Sequence, residues 1–363
     1  MAVSAPTSAV GPGYHTWVSR LLRRLGTELS IDWRSPRADA SPEDDTGFFR
    51  SDDRAAAQRG HLRWLHAELR RAADPRKRRH GPIHLGSFPG HRFDVDVPLV
   101  TPLGPRSAEW LTAALASPRQ AIDVWPWAAD AMDGRYLLDR ALSLMWSEVR
   151  WRAPATPDER AMLDEVLRLL RRAFPLDPAL PYPWREWRQV LEYAAAATDP
   201  MAERVVSEAA NAPDGPPIGY RRGEVTVLHA GWQLTVPGSW AEERSGAVWR
   251  GGEGGQHVTL SVTRLGVGDA PESPAAFLDR FAGDLGDDAL AHRAGPLAGR
   301  GRVTVPTSSG VEVATLEAWS AVPGLGAAMR IEIHDPGDWE WALDLWRSLV
   351  PDQAVVTPGS RAL

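Results

Sequence analysis

The sequence predicts an α+β protein: a mainly α-helical N-terminal part with a short β segment, then an antiparallel sheet packed by helices. Three observations carry this. Apolar residues recur at three- and four-residue steps through most of 1–211, and at every second residue beyond 219. A Pro- and Gly-rich stretch, NAPDGPPIG at 211–219, separates the two regimes. Beyond it several strands follow one another directly, and consecutive strands imply an antiparallel sheet with helices on it.

At 363 residues the chain exceeds one comfortable core, so two domains are expected. The predicted layout is a mainly helical domain over 1–211, a linker at 212–219, an α+β domain over 220–352 and a tail from 353 to 363. Hydrophobic content of 43% and charged content of 24% are those of a globular protein, which excludes wholesale disorder. With no cysteine, disulfides, thiolate zinc sites and a cysteine nucleophile are excluded. No apolar run approaches the roughly 18–20 residues that span a bilayer. The first residues, MAVSAPTSAVGPGY, lack the charged and apolar regions of a signal peptide. A cytoplasmic protein without membrane insertion is expected.

Charge is uneven. Residues 1–92 hold 16 Lys and Arg against 10 Asp and Glu; residues 93–363 hold 25 against 37. Lys77 is the sole lysine, which fits a coding bias towards arginine better than selection for bidentate anion recognition.

In order, a first helix places Trp17, Leu21, Leu22 and Leu25 on one face, with Gly26 positioned to end it. Residues 34–53 read as a polar loop. A second helix over 54–73 buries Leu62, Leu65 and Leu69 and ends at DPRKRRHG. The run Arg76, Lys77, Arg78, Arg79 suits nucleic acid or an acidic partner, but a solvated helix end is the commoner meaning, so nucleic acid is not the expected partner. Between 82 and 101 the pattern alternates: Phe93, Val95 and Val97 share one face, Asp94 and Asp96 the other.

His80, His84, His91, Asp94 and Asp96 make the most site-like cluster, since imidazole with carboxylate suits zinc or another divalent ion. The phrase GHRFDVDV faintly resembles the His-and-Asp strand of murein-cleaving zinc peptidases. That family's downstream His-x-His is missing, and the next histidine is His229. A divalent-metal hydrolase centred on His84, His91 and Asp94, with Asp96 as a further candidate ligand, is therefore the second reading, and a polar strand face the first. No cofactor, metal or catalytic residue is assigned.

Further helices follow over about 106–117 (Trp110, Leu111, Leu115), 135–151 (Leu138, Ala141, Leu142, Met145, Val149) and from Thr156 to Phe174. The last opens with a capping box, Thr156 and Glu159, around Pro157. Pro126 between Trp125 and Trp127 disfavours regular helix there. Another helix begins at Pro183 with Trp184, Trp187, Val190 and Leu191 inward, and a short one covers 201–210. Tryptophans at helical spacing are read as core.

Past the linker, strands are expected at GEVTVLHA, GWQLTVPGSW, VWR and HVTLSVTRL, with GGEGG (251–255) as a turn. Ser273 and Pro274 open a helix burying Phe277, Leu278, Phe281 and Leu285, closed by Gly286. Strands resume at RVTVP, VEVATLEAW and AMRIEIH. Asp335 and Pro336 start a last helix presenting Trp339, Ala342, Leu343, Trp346 and Leu349.

This order, opened by GWQLTVPGSW and closed by WALDLWRSL, resembles the PsbP/DcrB-like family over residues 220–350. Trp232, Val236, Pro237 and Trp240 stand where the family carries an aromatic–Pro–Trp phrase. The resemblance implies a binding protein: members are photosystem assembly subunits, nuclear-import accessory factors and chaperones for secretion effectors, without shared catalytic residues. A non-enzymatic cytoplasmic adaptor, chaperone or immunity protein with a protein partner is the function expected. It implies an exposed apolar groove on the C-terminal domain and no buried carboxylate–histidine cluster.

Overall fold

The computed structural model describes residues 7–33, 44–78, 81–86, 90–92, 96–129, 131–196, 200–267, 270–286, 289–304 and 313–352. It is α+β, and its contacts divide into two units. The first comprises the described residues of 1–88 and 94–221; the second, those of 89–93 and 222–363. The chain therefore leaves the first unit around residue 89, contributes a few residues to the second and returns.

The elements run α1 (Pro12–Leu29), α2 (Phe48–Ser51), α3 (Arg54–Ala73), β1 (Ile83–His84), β2 (His91–Arg92), β3 (Leu99–Thr101), β4 (Gly104–Arg106), α4 (Ala108–Ala116), α5 (Gly134–Ser147), α6 (Pro157–Ala173), α7 (Trp184–Tyr193) and α8 (Ala202–Asn211). Then come β5 (Glu224–His229), β6 (Trp232–Pro237), β7 (Ala241–Ser245), β8 (Val248–Glu253), β9 (Gln256–Arg264), β10 (Gly266–Val267), β11 (Ala270–Pro271), α9 (Pro274–Ala282), β12 (Leu290–Ala294), β13 (Leu297–Thr304), β14 (Ala314–Val322), β15 (Leu325–Ile333), α10 (Trp339–Arg347) and β16 (Val350–Pro351).

In the first unit, α5, α6 and α7 build one core around Leu138, Met145, Val166, Leu170 and Trp187, all buried. A second core joins α3 (Leu65, Leu69) to Leu99, Leu111, Val124 and Trp125. The helix starts are chemical. Asp53, Ser107, Asp133 and Thr156 each accept a backbone N–H from the first turn, filling acceptor positions that helix N-termini otherwise leave to water. The expected box at α6 is half formed: Glu159 takes the N–H of Ala155, together with Arg152, in place of the cap residue's own N–H.

Helix α1 departs from expectation. It runs through Gly26 and ends at Ser30, which adopts the left-handed conformation (φ 53°). Gly26 is small because the indole of Trp33 lies over it, donating to Leu22 O at 2.8 Å; an added Cβ would sit 2.9 Å from Trp33 Nε1. The buried side is Pro12, His15, Thr16 and Ser19, while Trp17 and Leu21 are 43% and 38% exposed. Similarly, the alternating segment at 82–101 is not one strand. Its described parts are the short β1, β2 and β3, and β2 is in the other unit, paired with β5. Phe93, Asp94 and Val95 lie outside the described residues.

The second unit holds a seven-stranded antiparallel sheet in the order β12-β13-β14-β15-β9-β8-β7 and a four-stranded one, β16-β6-β5-β2. Alternation decides the faces. Leu316, Ala318 and Ser320 point with Met329, Ile331, Leu260 and Trp249 to the side where α10 packs, and Trp346 Nε1 donates to Ser320 at 3.0 Å. Trp232, Leu234 and Val236 alternate as expected and are at most 1% exposed. On the opposite face α9 covers only the Trp319–Ala321 end. There an added Cβ at Gly326 would meet the Phe277 ring at 2.6 Å.

Further along that face a polar row crosses six strands, Arg302–Glu317–Arg330–Thr259–Arg250–Glu243, with opposite charges facing each other. Four details depart from the reading above. Gly251 and Gly252 belong to β8, leaving Gly254 and Gly255 as the turn; β7 and β12 are additional strands; α9 ends at Ala282; and Phe281 is 44% exposed. No helix among the described residues is long and apolar enough to cross a membrane.

Candidate functional site

A cavity of about 370 Å³ opens in the first unit. Its volume is at the lower end of the ~300–1,000 Å³ typical of small-molecule sites. Helix α5 supplies Arg135, Asp139 and Leu142; the turn after α4 supplies Asp123, and the end of β4 supplies Arg106. Tyr182 and Trp184, at the start of α7, form an aromatic wall. The remaining side is the 212–218 stretch, through Ala212, Pro213, Gly215, Pro216 and Ile218. That stretch, read from sequence as linker, is held to α7 by Arg185, which donates to Asp214 at 2.6 Å and to Ala212 O at 2.8 Å.

The polar groups are unevenly satisfied. Asp139 is 4% exposed; its Oδ2 takes Arg135 Nε at 2.7 Å, and its Oδ1 has no hydrogen-bond partner among the described residues. Burial raises its carboxyl to about 6, against the pull of Arg135. Asp123 Oδ1 and Arg106 Nε are likewise buried without a partner among the described residues, although Arg106 donates elsewhere to Pro105 O and Asp123 O. These three belong to a larger set of buried polar atoms without a partner among the described residues, spread over both units. Trp184 stacks on Trp187 at 5.3 Å with 3° between planes, and Tyr182 lies 5.3 Å from Trp184, so the wall is fixed.

Of the sequence-predicted metal residues, the described ones are divided between the units: His84 and Asp96 belong to the first, His91 to the second. His84 is in β1 of the first unit, where burial holds its imidazole below the ordinary value. His91 is in β2 of the second unit; its Nε2 lies 2.9 Å from Glu242 Oε1, both side chains being 7% exposed. Asp96 is exposed, and Asp94 and His80 lie outside the described residues. Among the described residues no group of three or more His, Asp or Glu is placed to hold a metal ion. The His91–Glu242 pair is a buried carboxylate–histidine contact in the C-terminal unit. Trp249 Nε1 donates to the same carboxylate, and Arg244 reaches from it to Gly90 O and Leu228 O, so the group ties β7 and β8 to β2 and β5. Of the basic run, Arg76 to Arg78 form a 3₁₀ turn with Arg76 and Lys77 exposed; Arg79 lies outside the described residues.

A second polar cluster has no sequence signal at all. His15 Nδ1 lies 2.9 Å from Thr7 Oγ1, and its Nε2 is 2.9 Å from Thr46 Oγ1 and 3.2 Å from Asp44. Asp44 is desolvated, yet His15 and the N–H groups of Phe49 and Thr46 hold its carboxyl far below the ordinary range. His61, 5.2 Å from His15, is lowered by burial. The cluster fastens the loop before α2 to α1 and α3.

In the second unit the seven-stranded sheet ends at β7 and β12. Charged residues Glu242, Glu243 and Arg244 occupy β7, whereas Leu290-Ala-His-Arg-Ala in β12 carries one formal charge at neutral pH.

No family model matches the chain, and no curated protein matches it. Among solved structures, a crystal structure from Bacteroides thetaiotaomicron VPI-5482 is similar at TM-score 0.29 and 11% identity, covering 36% of this chain and 49% of that one. The chain thus spans about half the length of that protein. The solution structure of cyanobacterial PsbP (CyanoP) from Synechocystis sp. PCC 6803 is similar at TM-score 0.28 and 12% identity, over 39% of this chain and 97% of that one. The fold class rests on the strands and helices described above, and likeness at this level speaks to nothing further.

Proposed function

We propose that the chain is a non-enzymatic protein-binding adaptor or chaperone, with an immunity role inside the same class, and that its partner adds a strand to β12. The observation that carries this reading is the β12 edge. Its hairpin with β13 closes Ala294 against Leu297 across Gly295 (φ 58°) and Pro296, a two-residue turn. Such a turn makes Ala294, His292 and Leu290 the inward-bonded residues, so Ala291 and Arg293 direct N–H and C=O outward. Strand addition at such an edge draws affinity from main-chain hydrogen bonds. Phe281, exposed on α9 over β13 and β14, supplies apolar surface in the same unit. The strand–helix–strand–helix order and the Trp232–Trp240 phrase support a PsbP/DcrB-like reading of this unit, and a cysteine-free chain suits a cytoplasmic setting.

The test is Ala291→Pro, which removes an outward N–H and leaves the β13 ladder intact. A partner co-purifying in stoichiometric amount with the wild-type chain, and protecting β12 in hydrogen exchange, is lost from this variant. Equal recovery by the variant, or protection that spares β12, refutes the reading.

A further inference from the structure

We infer that the outer face of α3, with the 3₁₀ turn that follows it, is a binding site for a compact phosphate polyanion, a di- or triphosphate group. This goes beyond the adaptor reading and concerns the first unit, not β12.

Helical spacing decides which side chains meet. Helix α3 turns Ala57, His61, Leu65, Leu69 and Ala72 to the core. Positions 63, 66, 67 and 70 recur at three- and four-residue steps on the opposite side. There a depression of about 360 Å³ is lined by Arg63, Arg70 and Arg71, and the turn at Pro75–Arg78 brings Lys77 to it. Ala67, one turn from both Arg63 and Arg70, keeps the space between them open.

Four cations thus face one carboxylate, Asp74. That carboxylate is engaged in shaping the turn: its Oδ1 accepts the N–H of Arg76 at 2.9 Å, and its backbone carbonyl accepts that of Lys77 at 3.0 Å. Arg71 is paired with Glu68 at 2.8 Å. Arg63, Arg70 and Lys77 have neither a hydrogen-bond nor an ion-pair partner among the described residues. No carboxylate stands three or four residues from Arg63, and the one at that distance from Arg70 is Asp74.

Three unpaired cations around one depression call for an anion with several charges and several acceptor oxygens. A carboxylate brings one charge and two oxygens, which one guanidinium satisfies. A phosphate monoester brings nearly two charges and three oxygens, and a second phosphate extends the row. The extension matters because Arg63 and Arg70 are seven residues apart, about 10 Å along the helix axis. Arginine suits the task, since its planar fork takes phosphate oxygens in pairs. A long polyanion fits less well. Of Arg76, Lys77 and Arg78 only Lys77 lines the depression, and the chain as a whole carries a net charge of −6.

The experiment titrates the full chain calorimetrically, at about 150 mM salt, with inorganic phosphate, pyrophosphate and tripolyphosphate. Citrate serves as a carboxylate probe of charge close to that of pyrophosphate. Pyrophosphate or tripolyphosphate binds with Kd below about 1 mM, and inorganic phosphate about tenfold more weakly. Adenosine diphosphate competes and adenosine does not, which separates the phosphates from what carries them. Arg70→Gln weakens binding about fivefold or more, the scale of a lost charge-assisted hydrogen bond. Ala67→Leu, which fills the depression and alters no charge, weakens it as well. Arg172→Gln, which removes an exposed arginine from α6, leaves it unchanged. All three positions are exposed, and unchanged melting temperatures separate loss of binding from loss of fold. A silent polyphosphate series, citrate binding as tightly as pyrophosphate, or equal losses in Arg70→Gln and Arg172→Gln overturn the assignment. So does binding that Ala67→Leu spares, or a single-stranded oligonucleotide that binds more tightly than tripolyphosphate. Because Ala291→Pro leaves this face of α3 intact, failure of one proposal is distinguishable from failure of the other.

Discussion

Asp139→Asn stabilises the first unit at pH 8 and has no effect at pH 4. The carboxyl is raised from its ordinary 3.8 to about 6, and at about 1.4 kcal/mol per tenfold change this corresponds to roughly 3 kcal/mol. The sign follows from proton linkage. Between pH 4 and 6 the folded chain holds a proton that the unfolded chain has released, so stability is greatest below the unfolded value and is lost as pH rises through 6. Above pH 6 the wild type keeps an ionised, desolvated carboxylate. Asparagine removes that cost, a value already net of the favourable pair with Arg135. The gain at pH 8 is about 3 kcal/mol. Urea unfolding followed by tryptophan fluorescence at pH 4, 6 and 8 reads it directly. A variant less stable than wild type at pH 8, or parallel pH curves for the two proteins, refutes the reasoning.

Trp232→Ala removes a fully buried indole from the second unit and costs about 3–5 kcal/mol, seen as a lower midpoint for that unit's unfolding. His91→Ala leaves Glu242 buried with one partner fewer and costs about 1–3 kcal/mol by denaturant titration. A chelator leaves the wild-type melting curve unchanged; a fall in midpoint restores the reading of His84, His91, Asp94 and Asp96 as ligands. Gly326→Ala drives a methyl group into the Phe277 ring and costs about 1–3 kcal/mol in thermal unfolding.

The parts of this fold that were legible in sequence are those where burial repeats at a fixed period. Leu65 and Leu69 in α3, Trp187 and Val190 in α7, and Trp232, Leu234 and Val236 in β6 all face inward as their spacing required. Illegible parts lack that repetition. Strand β12 has one neighbour and no fully buried residue, so no alternation marks it. Gly26 resembles a helix stop because an indole packing over a helix leaves the same glycine that termination would. The cavity was hidden for a related reason. Asp139 is one charged position in an otherwise ordinary amphipathic helix, and Asp123, Trp184 and Pro213 converge on it only in three dimensions. Sequence proximity misled in the reverse sense: His84 and His91 are near in sequence but belong to different units.

Residues His91 and Arg92 bear on how the polypeptide matures. During synthesis they emerge more than a hundred residues before β5, the strand they pair with. The second unit is therefore not a free-standing C-terminal piece. A truncated chain starting at 220 lacks β2, exposes one side of β5 and leaves Glu242 without His91. Residues 82–101 supplied as a separate peptide are expected to restore the missing strand in trans, and binding of that peptide to the truncated chain measures it.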